Sequence, residues 1–356
     1  MSHAVQFYAT TLLVYLGVDV LSVWSLNLQY GMTGIYNFAW ILFQSLGAYT
    51  AAVLTLGPST ANTGFQHYIL GSSVPFPLPL LIAGAVAGAF SIPIGFIALR
   101  RLRADYQATV MLVISVIALL VVSNVNGLFN GTPGLSLIPQ PLHTALHVST
   151  LGYAWLYVLF SAVVCAVTYI FVHRVTSSPL GRALRAVRDN EAAAEALGKH
   201  VTKLRMFSFV LGNVIAGMSG ALLVQFISAW SPGAWSYVET LIILTAIIVG
   251  GTGNNVGVMI GALLVPVVFL EATRFIPTSF APAAVVDSVQ WVVVGGLALA
   301  FLWFRPQGIL PERRRRFPVP ATHSTAGMAG PSSARHQERE TADASPVAVL
   351  ARETES

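Results

Sequence analysis

Few residues in this chain have side chains that can act chemically, and their surroundings narrow what they can do. Asp19, Glu239, Glu271 and Asp287 stand in or beside long apolar runs. A carboxylate at the centre of a bilayer is costly, so each is a functional candidate by default. Glu239, Glu271 and Asp287 fall near the ends of their runs, where water or Arg274 can meet them. Asp19 sits in the middle of its run and is the stronger candidate, as a polar contact inside a bundle. His143 and His147 share an i, i+4 spacing in a polar stretch, a weak metal signal without further convergent ligands, so no metal site is expected. Cys165 is the only cysteine, which leaves no internal disulfide and no Cys-based metal site. No cluster of His, Asp, Ser or Cys has catalytic spacing, which ranks an integral membrane enzyme last among the readings.

The glycines and amides carry more information. "NLQYGMTG" and "GGTGNN" interrupt apolar runs with small residues that let helices approach or break. Backbone groups freed at membrane depth survive only against protein or a water-filled cavity. Asn27, Gly31, Thr33, Gly34 and Asn37, with Asp19, are therefore candidates for one wall of a translocation path. Gly250, Gly251, Gly253, Asn254 and Asn255 are candidates for a hinge or re-entrant turn. Plain helix packing competes with this reading for many of the glycines, and "GGTGNN" also fits a cytoplasmic turn.

The elements that must hold these residues are membrane helices. The 356 residues are 55% hydrophobic and only 9% charged, against about 25% charged in an ordinary soluble domain. Runs of the roughly 20 apolar residues that a spanning helix needs recur along the chain. They predict an all-α polytopic protein with about eight to nine transmembrane or re-entrant helices. Crossings are expected at Phe7 to Leu28, Thr33 to Leu56, Leu78 to Leu99, Ala108 to Ser123, Leu151 to Val172, Phe207 to Ile227, Val238 to Val249, Val256 to Leu270 and Val285 to Phe304. The start lacks the basic leader and cleavage pattern of a removable signal, so its first helix is expected to be retained.

Charge sets the orientation, because Lys and Arg near membrane segments gather on the cytoplasmic side. Arg100, Arg101 and Arg103 fill one loop, seven basic residues lie from Arg174 to Arg205, and Arg305 with Arg313 to Arg316 follows the last run. Gly57 to Pro77, Asn124 to Thr150 and Ala229 to Ser236 contain no Lys or Arg. The C-terminus is therefore expected to be cytoplasmic. Two regions follow: a transmembrane domain over 1–311 with a cytoplasmic loop at 173–205, and a basic, disordered cytoplasmic tail over 312–356, too polar to offset its ordering entropy.

That loop, "HRVTSSPLGRALRAVRDNEAAAEALGKHVTKLRMFSF", reads as a helix. Ser178 is placed to cap it, Pro179 fits its first position and Gly198 its C-terminal stop. At 100° per residue, Ala183, Ala186, Val187, Asn190, Ala194 and Leu197 share a small-residue face, flanked by Arg182, Arg185, Arg188, Asp189, Glu191 and Glu195. Connections between bundle helices usually take 2 to 8 residues, so a capped helix of this length is more than a topology signal. It has a smooth face for docking and charged flanks for registration.

Together, "LNLQYGMTGIYNFA", "LGAYTAA", "GLFNGTPGLSLIP", "SPLGRALRAVRDNEAAAEALG", "GGTGNNVGVMIGA" and "FRPQGIL" resemble, in order and spacing, the LivM-type permeases of high-affinity branched-chain amino-acid ABC importers. The resemblance covers nearly all of the chain up to about Pro311. It implies an ABC importer permease fold in a bacterial-type plasma or inner membrane, working by alternating access. It implies a second related permease, two cytosolic ATP-binding subunits that hold the ATP and Mg, and an extracytoplasmic substrate-binding protein. It also implies that the loop is the ATPase-coupling helix, with Arg182, Arg185, Arg188, Asp189, Glu191, Ala192, Ala193, Glu195 and Gly198 as its residues. Glu191, Ala192 and Ala193 fit the family's Glu-Ala-Ala motif, and Gly198 comes one position late. The chain has no G-x-x-x-x-G-K-[ST] phosphate loop, so no cofactor is expected on it and the motor is expected elsewhere. The alternative is an ion-gradient-driven secondary transporter of a small polar solute, which lacks support in an inverted repeat or several buried acids.

Overall fold

The computed structural model describes residues 3–58, 66–102, 104–140, 149–269, 271 and 283–312, without the side chains of 101, 104, 105, 283–288 and 290. Arg103, His143, His147, Arg274 and the tail from Arg313, including Arg313 to Arg316, lie outside the described residues, as does the Asp287 side chain.

The described residues form helices: α1 His3–Thr33, α2 Trp40–Leu56, α3 Leu78–Arg101, α4 Ala104–Asn124, the single turn α5 Asn126–Phe129, α6 Thr150–Ser177, α7 Pro179–Asp189, α8 Glu191–Ala196, α9 Val201–Ile227, α10 Tyr237–Gly250, α11 Asn255–Ala262 and α12 Ala283–Phe304. A 3-10 turn, Pro232–Ala234, leads into α10, and α11 runs on as a π-helix over Leu263–Phe269. Among the described residues, six helices are long and apolar enough to cross a membrane, and Trp40–Leu56, Asn255–Phe269 and Trp291–Phe304 are shorter apolar ones.

The core is built where glycines let backbones touch. α9 packs on α1, α2 and α3. A Cβ on Gly220 would collide with the carbonyl of Gln44, and one on Gly47 with the backbone of Gly217. Helices in lipid have no hydrophobic drive to associate, so close approach through small residues supplies the packing energy. The outward faces of α3, α4 and α6 are apolar, among them Phe90, Phe96, Ile117, Leu120, Leu159 and Val167.

Three local departures from the sequence reading have physical causes. The crossing expected to start at Thr33 starts at Trp40, because Gly34 takes a left-handed φ of 70° and the chain doubles back, with Ile35 N donating to Gln29 O at 3.0 Å. The loop helix is two helices. Asn190, extended at φ −161°, ψ 107°, breaks it and its side chain accepts from Ala193 N to cap the second piece. The stretch after Ala262 widens to a π-helix around Pro266, which cannot donate to a regular ladder.

Candidate functional site

The arginine-rich loop lies against one end of the bundle, and side chains tie it there. Ser178 caps α7 by accepting from Gly181 N at 3.3 Å, with Pro179 in the first turn as the sequence implied. α7 buries Gly181, Leu184 and Val187 against α1, α6 and α9. Of the small-residue face read from the sequence, Val187 and Ala194 are buried, Ala183 is half-buried, and Ala186, Asn190 and Leu197 are exposed. The break at Asn190 rotates the second half of that face. What remains open is Ala192, Ala193, Glu195, Ala196 and Leu197, with Gly198 at φ 75° turning the chain back. Leu197 is 79% exposed, an apolar knob at the tip of a polar segment.

Arg188 holds the loop to the bundle. Its guanidinium donates to Gly31 O at the end of α1 and pairs with Glu312 at 2.9 Å and Asp189 at 3.2 Å, and Arg185 pairs with the same Glu312 at 2.5 Å. Burial works against the Arg188 charge, but Glu312 and Asp189 outweigh it and raise the group above its ordinary value. Glu312 ends a strap that follows α12: Ile309 N and Leu310 N donate to Val249 O and Gly250 O at 2.9 and 3.1 Å, and Asn254 Nδ2 donates to Leu310 O. Gly251 and Gly253, at φ 115° and 78°, let the α10–α11 turn pass under that strap, and a Cβ on Gly253 would meet Glu312 and Arg188 at 2.9 and 3.0 Å. "GGTGNN" is thus a tight turn at the arginine-rich end, with Asn254 capping α11.

A second tether is Arg205, whose side chain is 7% exposed. It pairs with Glu191 at 2.8 Å and donates to Gln107 Oε1 of α4 at 2.7 Å. Glu191 reaches Arg205 with one oxygen while its side chain stays 52% exposed. Arg182 and Glu195 are exposed.

The amides expected to line a path are packed together inside. Asn27 accepts from Gly253 N at 2.9 Å and donates to Asn255 Oδ1 at 3.3 Å, and Asn255 in turn donates to Thr176 at 2.9 Å and accepts from Trp24 through its carbonyl. Asn37 donates to Gln29 at 2.8 Å and to Asn213 at 3.2 Å, and Gln29 donates to Asn213 at 3.0 Å. Thr33 donates to Gln29 O at 2.7 Å. These buried amides bond largely to one another, with Asn213 Nδ2 left without a partner, and join α1, the segment before α2, α9 and α11. Gly31 and Gly34 lie beside Arg188. Asp19 is remote from all of these, on a part of α1 that faces α10 near Glu239. Glu271 accepts from Tyr8 at the other end of α1. No group of three or more His, Cys, Asp or Glu fit to hold a metal occurs among the described residues.

Sequence reasoning missed Arg205, Glu312 and the Gln29–Asn213 pair. Glu312 sits directly before the arginine run and reads there as tail; the signal was "FRPQGIL", whose Gly308, at φ 71°, turns the chain back onto Gly251.

A helical bundle with six helices among the described residues long and apolar enough to cross a membrane, and with a charged loop tethered to one end, is the build of a multi-pass membrane protein. The chain belongs to the family of permease components of the branched-chain amino acid transport system, whose model matches residues 8–302. It is similar to the high-affinity branched-chain amino acid transport system permease protein LivM of Salmonella typhimurium, 28% identical over 326 residues, covering 86% of this chain and 70% of that protein. It is also similar to the probable branched-chain amino acid transport permease protein LivM of Methanocaldococcus jannaschii, 26% identical with 85% and 93% covered. The probable LivH permease of the same organism is 25% identical, with 83% and 90% covered. No solved structure matches the chain.

Proposed function

We propose that this permease imports branched-chain amino acids or related small amino acids and amides by alternating access, paired with a second related permease. Two cytosolic ATP-binding subunits holding ATP and Mg drive it, and an extracytoplasmic binding protein delivers the solute. The arginine-rich end and the C-terminus face the cytoplasm, as the distribution of Arg and Lys supports. The permease domain runs through Glu312, because that carboxylate closes the tether, and the basic tail follows it. The observation that carries the reading is the loop itself: one side is pinned to the bundle by Arg188 and Arg205, and the other presents Ala192, Ala193, Ala196 and Leu197 to solvent.

An ATPase that moves the Leu197 knob pulls on the end of α1 and on the α10–α11 turn through Arg188. It pulls on α4 through Arg205 and Gln107. A secondary transporter would have no use for such a tethered, outward-facing loop.

The test is uptake by the reconstituted complex of labelled leucine, isoleucine, valine, other amino acids, urea and amides, with and without ATP. ATP-dependent uptake of the branched-chain set is expected. Uptake by the lone subunit driven by an ion gradient would overturn the reading. Leu197→Glu is expected to lower the recovery of ATP-binding subunits on co-purification about tenfold, the scale of one lost interface anchor.

A further inference from the structure

The outward surface of the bundle is not uniform. Exposed positions from Leu78 to Ile97 on α3, from Val110 to Val121 on α4 and from Trp155 to Phe171 on α6 are all apolar. The face made by α1 and α10 breaks that rule. Asp19 is half-buried and Glu239 exposed there, close enough to each other to interact electrostatically, and neither has a hydrogen bond or ion pair among the described residues. Two such carboxylates against hydrocarbon would be costly.

At 100° per residue, Asp19, Leu26 and Tyr30 fall on one stripe of α1. Tyr30 lies about 16 Å from Asp19 along the axis, roughly half a hydrocarbon thickness. Where the stripe meets the unwound segment between α1 and α2, a small cleft of about 10 Å³, room for about one water, is lined by Tyr30, Tyr36, Asn37, Phe38, Thr240 and Leu244. Thr240 is 1% exposed and its Oγ1 has no hydrogen-bond partner. Tyr36 is 42% exposed and packs on Tyr30 with ring centroids 5.2 Å apart. A buried hydroxyl without a partner needs one.

We infer that the α1–α10 face is this subunit's wall of the transport path, with Asp19 and Glu239 drawing in the ammonium group of a small zwitterionic amino acid and Thr240 and Tyr36 meeting its polar atoms further along. This rests on the permease reading above. It narrows the sequence expectation, in which Asn27, Gly31, Thr33, Gly34 and Asn37 with Asp19 formed the wall: Asp19 stays and Asn37 lines the cleft, while Asn27 and Thr33 are engaged inside the bundle.

The test uses the whole complex carrying Cys165→Ser and single cysteines at Tyr36→Cys, Thr240→Cys or, as control, Val163→Cys on the apolar face of α6. A membrane-impermeant thiol reagent is expected to label the first two and spare the third. Leucine should slow that labelling about tenfold, and Asp19→Asn with Glu239→Gln should abolish the protection, as loss of charged contacts of ordinary strength predicts. The same double variant should raise the uptake KM by a similar factor, with Asp19→Glu retaining part of the wild-type value and subunit co-purification intact. Tyr36 and Thr240 positions that resist the reagent, whether shielded by lipid or by a packed second subunit, would overturn the inference, as would labelling that leucine leaves unchanged. Absent ATP-driven uptake in the wild type would instead overturn the permease reading, and the labelling outcome would remain interpretable without it.

Discussion

The two ends of the bundle are joined by different chemistry. At the arginine-rich end, the α7–α8 loop meets elements distant in sequence through charged side chains, Arg188 and Arg185 on Glu312 and Arg205 on Glu191, beside a strap that pairs its backbone with Val249 and Gly250. At the opposite end, the arginine-free segments meet through backbone. Leu135 and Trp230 exchange two hydrogen bonds of 2.8 Å, Ile138 N donates to Ser228 O, and Ile69 N donates to Leu128 O. Gln66 and Trp235 add buried side-chain bonds to Ser136 and Ser115, and Tyr49 stacks on Phe129 at 4.4 Å. A guanidinium on a long side chain can swing while keeping its partner; a paired backbone segment cannot. One end is built as a joint and the other as a frame.

The largest effect is expected from breaking the joint. Arg188→Glu places a carboxylate against Glu312 and the carbonyl of Gly31. It should destabilise the subunit by about 2 to 3 kcal/mol, below the full value for a buried pair because both partners keep some solvent. It should also abolish ATP-driven uptake. Arg188→Glu combined with Glu312→Arg should recover much of the thermal midpoint in detergent, and failure to recover any would remove the ion pair from the account.

Next comes Glu191→Lys. Because Glu191 pairs with Arg205, this change sets a second cation beside the buried guanidinium. A loss of about 1 to 2 kcal/mol is expected, after allowance for the half-exposed carboxylate. Glu191→Gln should cost less, since an amide oxygen can still accept from Arg205. Equal thermal midpoints for the two variants would show that the charge contributes nothing.

The difference between the ends also marks what could be read in advance. Apolar length located the helices from Leu78 to Phe304, with ends off by five residues at Ser177 and six at Val201 and with Asn255–Phe269 and Trp291–Phe304 short for a crossing, because a hydrocarbon solvent makes length and polarity decisive. Ser178, Pro179 and Gly198 announced the loop, since capping is local chemistry. What sequence reading missed depends on contacts across the chain. Apolar composition does not say whether a run is continuous helix, so the unwound Gly34–Ala39 segment was read as part of a crossing, although Asn37 Oδ1 accepting from Ala39 N is a turn signal. Asn190 as an internal cap was hidden in an alanine-rich stretch that favours helix throughout. Arg205 and Glu312 looked like topology charges, because nothing local distinguishes a tether from a solvated side chain.

A smaller effect probes the packed centre that both ends share. Gly220→Ala puts a methyl into the carbonyl of Gln44, where only backbone movement can make room. The cost should be about 1 to 3 kcal/mol, typical of overpacking. A midpoint unchanged by this substitution would mean that α2 and α9 are looser than their contact implies.

The smallest effect tests the frame, and its sign is opposite. Leu137 is 62% exposed yet held at φ 57°, between Leu135 paired to Trp230 and Ile138 bonded to Ser228. A left-handed leucine costs about 1 to 2 kcal/mol, whereas glycine there forfeits about 0.5 to 1 kcal/mol of extra chain entropy. Leu137→Gly should therefore stabilise the subunit slightly, by about 0.5 kcal/mol, a rise of roughly 1 to 2 °C in the thermal midpoint. Leu137 is held there at a cost on an exposed surface, which under the proposed import function would be open to the extracytoplasmic binding protein. The same variant should then weaken stimulation of ATPase activity by that protein. A lower midpoint would mean that the leucine packs within the frame and that its exposure serves no partner.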